Sequence, residues 1–511
     1  MTAGEPARRR ANGSGAPALE WLFHPRSIAV VGVPSGDPRG GNFLRALRAL
    51  GYDQNHALYP VNPRLPRAAG LPCYPSLLAC PGPVDHVISQ VPAHAVPELV
   101  EHCVERGVRS LQLFTAGFSE TGDAERARIE QQAVARARSA GIRVIGPNCM
   151  GLYVPDERIA FTGNPPPDAG GVFLLSQSGV HAADLIFRLG AIGMRFSKVV
   201  SYGNGADLAA HDFLDYAADD PQTTVVGAYI EGVPDGGAFA RALRRCARTK
   251  PTIVLKAGTS EAGARAVRSH TASLAGSASV FEALCRQAGA QLVQSMAELR
   301  QTLIALTSSA GRVRGPRVVM LSSGGGVGVL ATDALSRAGL DVPELPGGTR
   351  RELASFIPVA GTSNRNPIDA ESFGGRGAGE GDAERRRGIL SAVARSGVAD
   401  VIVVSPGIVQ GAHGSRVPWR DDAPAAAEPG EAREEARAFA SDLAAAQEEA
   451  GCPVLYVGRD RIWGDLGPDL EMERALYAAG IASYGSIESA ASVLRRMLDW
   501  RSRREGWPAL F

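Results

Sequence analysis

The chain has 511 residues, of which 45% are hydrophobic, 21% charged and 6% aromatic, and its net charge is +1. This length predicts two to four domains, each long enough to bury its own core. The charge balance argues against a nucleic-acid-binding protein, which usually carries a basic excess. The apolar runs are strand-sized and far shorter than the ~20 residues that a membrane span needs. Seven scattered Cys show neither disulfide nor zinc spacing, so we expect a soluble, reduced, cytoplasmic protein.

Residues 1–19 mix Ala, Gly, Pro and Arg without periodicity, which predicts a disordered arm. From Ser27 onward, short β-branched runs alternate with amphipathic stretches, a pattern typical of βαβ units and parallel sheets. The first such domain is predicted over residues 20–155. Its strands are predicted at Ser27–Val33, His56–Asn62, Val84–Val91, Ser110–Ala116 and Arg143–Gly146, and its helices at Phe43–Leu50, Val96–Arg106 and Asp123–Ala140.

Two further α/β domains are predicted over residues 165–308 and 314–500. The strands of the second are predicted at Val172–Leu175, Ser197–Tyr202, Thr224–Ile230, Thr252–Lys256 and Gln291–Gln294. Those of the third are predicted at Val318–Leu321, Val401–Ser405, Val454–Val457 and Ala482–Tyr484. The third domain also carries two inserts rich in Gly, Pro, Ala and charge, Glu371–Arg386 and His413–Gly430, which we expect to be surface loops or mobile segments.

Three small-residue turns each follow a predicted strand and precede a helical stretch. They are Val31–Gly41, Ser176–Gly179 and Ser322–Gly328. Glycine permits a tight turn, and the N–H groups of a helix N-terminus favour anions, so each turn could hold a phosphate. Each is also compatible with an ordinary strand-to-helix connection. The similarity of the second and third turns suggests one anion shared between two helix N-termini.

Lys256–Gly276 is a long run of very small residues that contains a single histidine, His270. Such a run is predicted to be a slim, mobile loop, because a core segment would carry larger apolar residues. An imidazole nitrogen can accept and return a phosphoryl group, although a solvated loop histidine is the simpler interpretation. Glu231 ends an apolar strand, where a carboxylate could hold the other ring N–H of a histidine or merely cap a loop.

Several familiar catalytic patterns are absent from the sequence. The other eight histidines form no HxxH or HxxxH pair and no cluster with metal-ligand spacing. Neither a GxSxG elbow nor a Walker GxxxxGK[ST] loop is present. These absences argue against a self-contained hydrolase or kinase.

The order of the motifs resembles the CoA-binding, alpha-type part of ADP-forming acyl-CoA synthetases, which are relatives of succinyl-CoA synthetase. The resemblance extends from Leu22 to about Arg495. It is carried by Phe23–Gly32, Tyr59–Pro63, Val91–Ala93, Thr115–Phe118, Ile145–Cys149, Leu175–Gly179, Tyr202–Asn204, Tyr229–Gly232, Lys256–Ala275 and Asn366–Asp369. It implies an α/β protein with an N-terminal Rossmann-like CoA-binding domain followed by two flavodoxin-like, succinyl-CoA synthetase-like parallel-sheet domains.

The resemblance also implies roles for individual residues. His270 matches the family's phosphorylated histidine, and Glu231 matches the glutamate that supports it. The turns that receive the phosphohistidine correspond to Gln177, Ser178, Gly179, Gly324, Gly325 and Gly326. The implied CoA site comprises Gly32, Pro34, Ser35, Arg39, Asn62, Pro92, Ala116 and Asn148. No metal ligand is implied in this chain.

The implied reaction is carboxylic acid + CoA + ATP ⇌ acyl-CoA + ADP + phosphate, through a phosphohistidine and an acyl phosphate. The three domains leave no block of ATP-grasp size, so ATP, ADP and Mg²⁺ are expected on a separate ATP-grasp, beta-type subunit, in a larger oligomer. Two departures from the family stand out. Ala272 replaces the usual Gly in the phosphohistidine segment, and the insert at 413–430 is not a family feature.

Two alternatives remain open from the sequence. One is a CoA or acyl-CoA binding module without catalysis, which Ala272 and the missing ATP-grasp domains would fit. The presence of both His270 and Glu231 argues against it. The other is a phosphate-dependent acyl or carbamoyl transferase on the same scaffold, which would not need ATP-grasp domains either.

Overall fold

A computed structural model describes residues 19–34, 43–271, 277–357, 362–370, 380–406, 429–458 and 467–504. The chain divides into two compact units. The first comprises Met1–Ala183, Phe196–Lys250 and Lys256–Ala288. The second comprises Asp184–Arg195, Pro251–Leu255 and Gly289–Phe511. In the described ranges, no helix is both long and apolar enough to cross a membrane.

The first sheet has five parallel strands in the order β2-β1-β5-β6-β7. The strands of this region are β1 (Ser27–Val31), β2 (Ala57–Val61), β3 (Arg67–Ala68), β4 (Leu71–Pro72), β5 (His86–Ser89), β6 (Ser110–Leu113) and β7 (Arg143–Ile145), with β3 and β4 forming a small hairpin. Its helices are α1 (Glu20–Phe23), α2 (Phe43–Leu50), α3 (Val96–Arg106) and α4 (Ala124–Ser139). All five predicted strands of the sheet are confirmed, with shorter ends.

The second sheet has six strands in the order β13-β12-β11-β9-β10-β8. These are β8 (Gly151–Tyr153), β9 (Ala169–Ser176), β10 (Phe196–Ser201), β11 (Val225–Ile230), β12 (Thr252–Lys256) and β13 (Gln291–Val293). Only β8 is antiparallel to its neighbour, and the sequence analysis missed it. The helices are α5 (Gly179–Ala191), α6 (Ala210–Asp219), α7 (Gly236–Thr249), α8 (Glu261–Thr271), α9 (Ala278–Ala288) and α10 (Met296–Leu306).

The third sheet has five parallel strands in the order β15-β14-β16-β17-β18. These are β14 (Val318–Ser322), β15 (Ile368–Asp369), β16 (Val401–Ser405), β17 (Val454–Val457) and β18 (Ala482–Tyr484). The helices are α11 (Gly325–Arg337), α12 (Gly347–Leu353), α13 (Glu380–Ala394), α14 (Pro429–Ala450), α15 (Gly467–Ala478) and α16 (Ile487–Ser502). The predicted α/β class with parallel sheets is confirmed.

All three sheets repeat one strand order. If the parallel strands of each sheet are counted along the chain, every sheet reads 2-1-3-4-5. In such a sheet the strand order reverses between the first and third strands, and ligands bind in the crevice at the carboxyl ends there. In the second sheet, Gln177 directly follows β9 and donates its N–H to Tyr229 O of β11. In the third sheet, Ser323 directly follows β14 and donates its N–H to Ser405 O of β16. In the first sheet, Gln90 directly follows β5 and donates its N–H to Val31 O at the end of β1.

Apolar strand residues form the cores on which these edges depend. In the first unit, Ala29, Val87 and Leu111 of neighbouring strands pack with residues of α3 and α4. In the second unit, Val319, Ile402 and Val454 do the same with residues of α13 and α14. Burial of the sheet on both faces explains why these strands are near-continuous hydrophobic runs.

Two segments differ from the sequence prediction. The run after Lys256, predicted as a mobile loop, contains the helix α8 over Glu261–Thr271. Its alanines are the best helix formers, so small side chains here support a helix rather than a loop. Residues 380–386 of the predicted insert Glu371–Arg386 begin α13. The arm up to residue 18, residues 371–379, Ala272 and residues 413–428 lie outside the described residues.

A buried ion pair involves strand β10 of the second sheet. Lys198 Nζ lies 2.9 Å from Asp220 Oδ2, and the two side chains are only 3% and 4% exposed. Thr223 Oγ1 donates to the same carboxylate oxygen at 2.6 Å. Burial raises the pKa of Asp220, but the hydrogen bonds from Thr223 and Lys198 outweigh it and leave that pKa below its ordinary value.

We predict that Lys198→Met lowers the free energy of unfolding by about 3–5 kcal/mol, because it leaves a buried carboxylate without its cation. Urea denaturation measures the change. Arg128→Met is the control, because Arg128 and Glu125 form an exposed pair whose loss should change stability much less. Equal losses in the two variants would contradict the prediction.

The turn after β10 packs closely on the turn after β7 in the first unit. Asn204 N–H donates to Pro147 O at 3.0 Å, and Ala206 N–H donates to Gly146 O at 3.0 Å. Gly203 has a φ of +56°, and a Cβ built there would lie 2.2 Å from Pro147 O and 2.3 Å from Asn148 O. This close backbone approach requires glycine.

We predict that Gly203→Ala destabilises the protein more than Gly107→Ala does. Both glycines have a positive φ, but a Cβ at Gly107 meets nothing within 4 Å. The left-handed conformation should cost each variant about 1–2 kcal/mol, and overlap should cost Gly203→Ala a further ~1–3 kcal/mol. Parallel urea denaturation curves measure the difference, and matching curves would refute the close packing.

Candidate active site

The carboxyl edge of the first sheet holds most of the residues predicted to bind CoA. Gly32 follows β1 with a φ of +85°, and a Cβ there would lie 2.9 Å from the Gln90 carbonyl carbon. Glycine therefore lets the chain after β1 approach the segment between β5 and Pro92 at the sheet's strand reversal. Pro34 follows in the same turn, whereas Ser35 and Arg39 lie outside the described residues.

Side-chain hydrogen bonds connect the remaining turns of this edge. Asn62 Nδ2 donates to Val33 O at 2.7 Å and so ties the end of β2 to the turn after β1. Thr115 Oγ1 donates to Val91 O at 2.7 Å, and Thr115 O accepts the N–H of Asn148 at 2.9 Å. Asn62, Pro92, Ala116 and Asn148 thus lie on one connected rim, on which Pro92 and Ala116 are exposed.

The Gln177 side chain connects the strand ends at the carboxyl edge of the second sheet. Its Oε1 accepts the backbone N–H groups of Glu231, at 2.5 Å, and Gly232, at 2.8 Å. Its Nε2 donates to Gly203 O at 3.5 Å. The Gln177 side chain therefore joins the ends of β9, β10 and β11, and the residue is 3% exposed.

Glu231 is a buried carboxylate at this strand reversal, with 5% exposure. Tyr229 Oη donates to its Oε1 at 3.2 Å. Burial, and then the charge of Glu231, raise the pKa of Tyr229, so this phenol stays protonated and remains a donor. Lys256 Nζ donates to the backbone oxygen of Glu231 at 2.8 Å, and burial lowers the pKa of Lys256.

The first turn of α5 retains free donors for an anion. The N–H of Gln177 is donated to Tyr229 O, and that of Ser178 to Ser176 Oγ at 3.1 Å. Across the described residues, no hydrogen-bond partner is found for the N–H groups of Gly179 and Val180. Helix N-termini carry such unsatisfied N–H groups and about half a positive charge, so these two groups can meet a phosphate oxygen.

The helix that bears His270 packs against the first domain. His270 lies in the last turn of α8, where the side chains of residues 268–271 are outside the described part. The backbone of α8 contacts the 3-10 turn Ser119–Thr121, which follows Ala116 by a few residues. The histidine's helix therefore lies beside the rim predicted to bind CoA.

Two glutamates hold the 3-10 turn in place. Ser119 N–H donates to Glu130 Oε2 at 3.0 Å, and Phe118 N–H to Glu120 Oε1 at 3.1 Å. Asn204 Nδ2 donates to Glu120 Oε2 at 2.8 Å. Burial raises the pKa of Glu120, but these hydrogen bonds outweigh it and leave that pKa below its ordinary value.

In the second unit, α11 begins at the other predicted phosphate turn. Gly324, with a φ of +114°, donates its N–H to Asp369 Oδ1 at 2.7 Å. Asp369 is buried, and a Cβ at Gly325 would lie 3.3 Å from its Oδ2. No hydrogen-bond partner for the N–H groups of Gly325 and Gly326 is found in the described part of the chain, so these two donors can meet an anion.

Sequence reasoning missed four polar residues at these edges. Tyr202, Tyr229, Lys256 and Asp369 each stand at or directly after the end of a buried strand. That position was the available signal, because carboxyl ends of parallel strands converge on the ligand crevice. Lysine is also rare in this chain, which has only Lys198, Lys250 and Lys256. That rarity was a second reason to consider Lys256 as a site residue.

Two family models match the chain. A CoA binding domain matches residues 26–155. A succinyl-CoA ligase like flavodoxin domain matches residues 169–306. The matches agree with the Rossmann-like and flavodoxin-like domains expected from the sequence.

Named relatives and a solved structure point to the same family. The acetate–CoA ligase [ADP-forming] II subunit alpha of Pyrococcus furiosus is 37% identical over 69% of this chain and 76% of its own length. The acetate–CoA ligase [ADP-forming] I of Archaeoglobus fulgidus is 36% identical over 75% of this chain, which spans only 54% of that relative.

The solved structure is the dinucleotide forming acetyl-coenzyme A synthetase 1 of Ca. Korarchaeum cryptofilum in complex with phosphate and ADP. It is 30% identical, with a TM-score of 0.75 over 95% of this chain and 97% of the solved one. With the two family models and the alpha-subunit relative, this match establishes that the chain belongs to the ADP-forming acyl-CoA synthetases of the succinyl-CoA synthetase superfamily.

Proposed function

We propose that this chain is the alpha-type subunit of an ADP-forming acyl-CoA synthetase, which catalyses carboxylic acid + CoA + ATP ⇌ acyl-CoA + ADP + phosphate. The observation that carries the proposal is the buried Glu231 carboxylate. It lies at a strand reversal with two free N–H groups of α5, in the unit that also contains the helix of His270. A carboxylate, helix N–H donors and a histidine are the groups that phosphoryl transfer through histidine requires.

In the direction of acyl-CoA breakdown, phosphate attacks the thioester carbonyl, the CoA thiolate leaves and an acyl phosphate forms. An imidazole nitrogen of His270 then attacks the phosphorus, and the carboxylate leaves as the free acid. The Glu231 carboxylate accepts the other ring N–H, which stabilises the imidazolium form. The N–H groups of Gly179 and Val180, and separately those of Gly325 and Gly326, bind phosphoryl oxygens.

CoA is assigned to the rim of the first sheet. The Gly32–Pro34 turn, with Ser35 and Arg39, would meet the nucleotide and pyrophosphate end. Asn62, Pro92 and Ala116 would line the site, and Asn148 would lie nearer the thioester. The contact of α8 with the turn Ser119–Thr121 supports this assignment, because the histidine's helix lies beside the rim proposed to bind CoA.

The ATP half of the reaction is assigned to a partner. The chain spans about half of the Archaeoglobus relative, and the glycine turns described above are the only phosphate devices that the sequence analysis found. We assign ATP, ADP and Mg²⁺ to an ATP-grasp, beta-type partner, because the Pyrococcus relative is named as the alpha subunit of an ADP-forming ligase. The working enzyme is then a hetero-oligomer.

We predict that the protein, incubated with acetyl-CoA and radiolabelled phosphate, acquires an acid-labile label that His270→Ala abolishes. This half-reaction uses only phosphate, acyl-CoA and the histidine, so it needs no nucleotide. His102→Ala is the control and should retain the label, because His102 lies partly exposed on α3 beside Glu98. Initial rates of labelling measure the effect.

Labelling that survives His270→Ala would overturn the assignment of the nucleophile. Absence of label on the wild-type protein, combined with tight CoA binding, would favour the non-catalytic CoA module. Release of labelled acyl phosphate into solution by the wild-type protein, without any label on the protein, would favour the transferase instead.

We predict that Asn62→Ala weakens CoA binding by about two- to tenfold, since loss of one hydrogen bond of ordinary strength frees the turn after β1. Titration calorimetry with CoA measures the affinity. Asn55→Ala is the matched control, because Asn55 is exposed in the turn before β2. Equal affinities of the two variants would exclude the rim around Asn62 as the CoA site.

A further inference from the structure

A buried phenol without a hydrogen-bond partner lies at the edge of the second sheet. Tyr202 directly follows β10, and its N–H donates to Ser176 O at 3.0 Å. The side chain is 1% exposed, and within the described residues its hydroxyl has no hydrogen-bond partner. A buried hydroxyl loses its water without compensation in this state, so the orphaned group calls for an explanation.

Tyr202 and Glu231 flank the same central strand. They follow β10 and β11, which pair with β9 on its two sides. Gln177, at the end of β9, bonds to the backbone of both turns, at Glu231 N and at Gly203 O. Burial, and then the charge of Glu231, raise the pKa of Tyr202 well above 10. The phenol therefore stays protonated, and it can donate from a position beside the strand that Glu231 also flanks.

We propose that Tyr202 is a positioning residue for Glu231. The role rests on the proposed function. When His270 engages Glu231, the Tyr202 hydroxyl donates to the carboxylate together with the Tyr229 hydroxyl. A carboxylate offers about four acceptor positions, so two phenols fix its orientation and leave positions for the imidazole N–H. The proton stays on the phenol and no covalent bond changes.

The chemistry of the neighbouring groups favours a phenol in this role. A cation in direct contact with the carboxylate would neutralise it and weaken its support of an imidazolium. The nearby cation, Lys256, instead donates to backbone oxygens, those of Glu231 and Ala257. A neutral donor orients Glu231 and preserves its charge for the histidine.

The test compares initial rates of phosphohistidine labelling from acetyl-CoA and phosphate. Tyr202→Phe should lower the rate about tenfold to a hundredfold, as expected for loss of a hydrogen bond to a charged group. It should not lower the thermal midpoint, because the removed hydroxyl has no partner in the resting fold. Tyr484→Phe is the matched control, since Tyr484 is 4% exposed and its hydroxyl also has no partner in the described ranges. Its rate should stay within about twofold of wild type.

A double-mutant cycle with Glu231→Gln tests whether Tyr202 acts through Glu231. In that background, Tyr202→Phe should change the remaining rate by less than about twofold, because coupled residues are not additive. If Tyr202→Phe leaves the labelling rate unchanged, or lowers it by the full factor in the Glu231→Gln background as well, the positioning role is overturned. The proposed function is not affected by either result. If the wild-type protein is not labelled, the proposed function falls as well.

Discussion

The amide of Gln177 is the contact on which the candidate active site depends. One side-chain oxygen accepts two consecutive backbone N–H groups, those of Glu231 and Gly232, and the nitrogen reaches the turn after β10. In a buried position each of these groups would be costly to leave unpaired. The amide therefore couples the geometry of the Glu231 carboxylate to that of the Tyr202–Asn204 turn. The Tyr202–Asn204 turn also packs on Asn148, at the rim that is predicted to bind CoA.

One topological device recurs through the chain. The parallel strands of each sheet have the order 2-1-3-4-5, and in each sheet a glycine-containing turn follows the first strand, where that order reverses. The reversals carry different side chains: Asn62 near the first, Glu231 at the second and Asp369 at the third. Because the strand order is the same, these few polar residues are what distinguish the three edges chemically. At the strand reversal of the third sheet, the Asp369 carboxylate already accepts the N–H of Gly324. An anion bound there would therefore lie close to a negative charge.

The strands were predictable because sheets buried on both faces produce continuous apolar runs, and Thr252–Lys256 and Val401–Ser405 were predicted with the bounds that they have. The edge strands β8 and β15 were missed, because neither Gly151–Tyr153 nor Ile368–Asp369 belongs to a longer apolar run in the sequence. The helix α8 was predicted as a loop because small side chains were interpreted as mobility rather than as helix propensity. The role of the Gln177 side chain depends on strands that are distant in sequence, and no local pattern encodes it.

The three lysines have a consequence for how this protein can be labelled or modified. Lys198 and Lys256 are buried, and the Lys250 ammonium donates to Asp220 O. Side-chain amines are thus committed to internal contacts, while the surface cations are guanidinium groups. Amine-directed cross-linkers and acetyl donors find little to react with, so an interface with another subunit is better mapped with carboxylate-directed reagents.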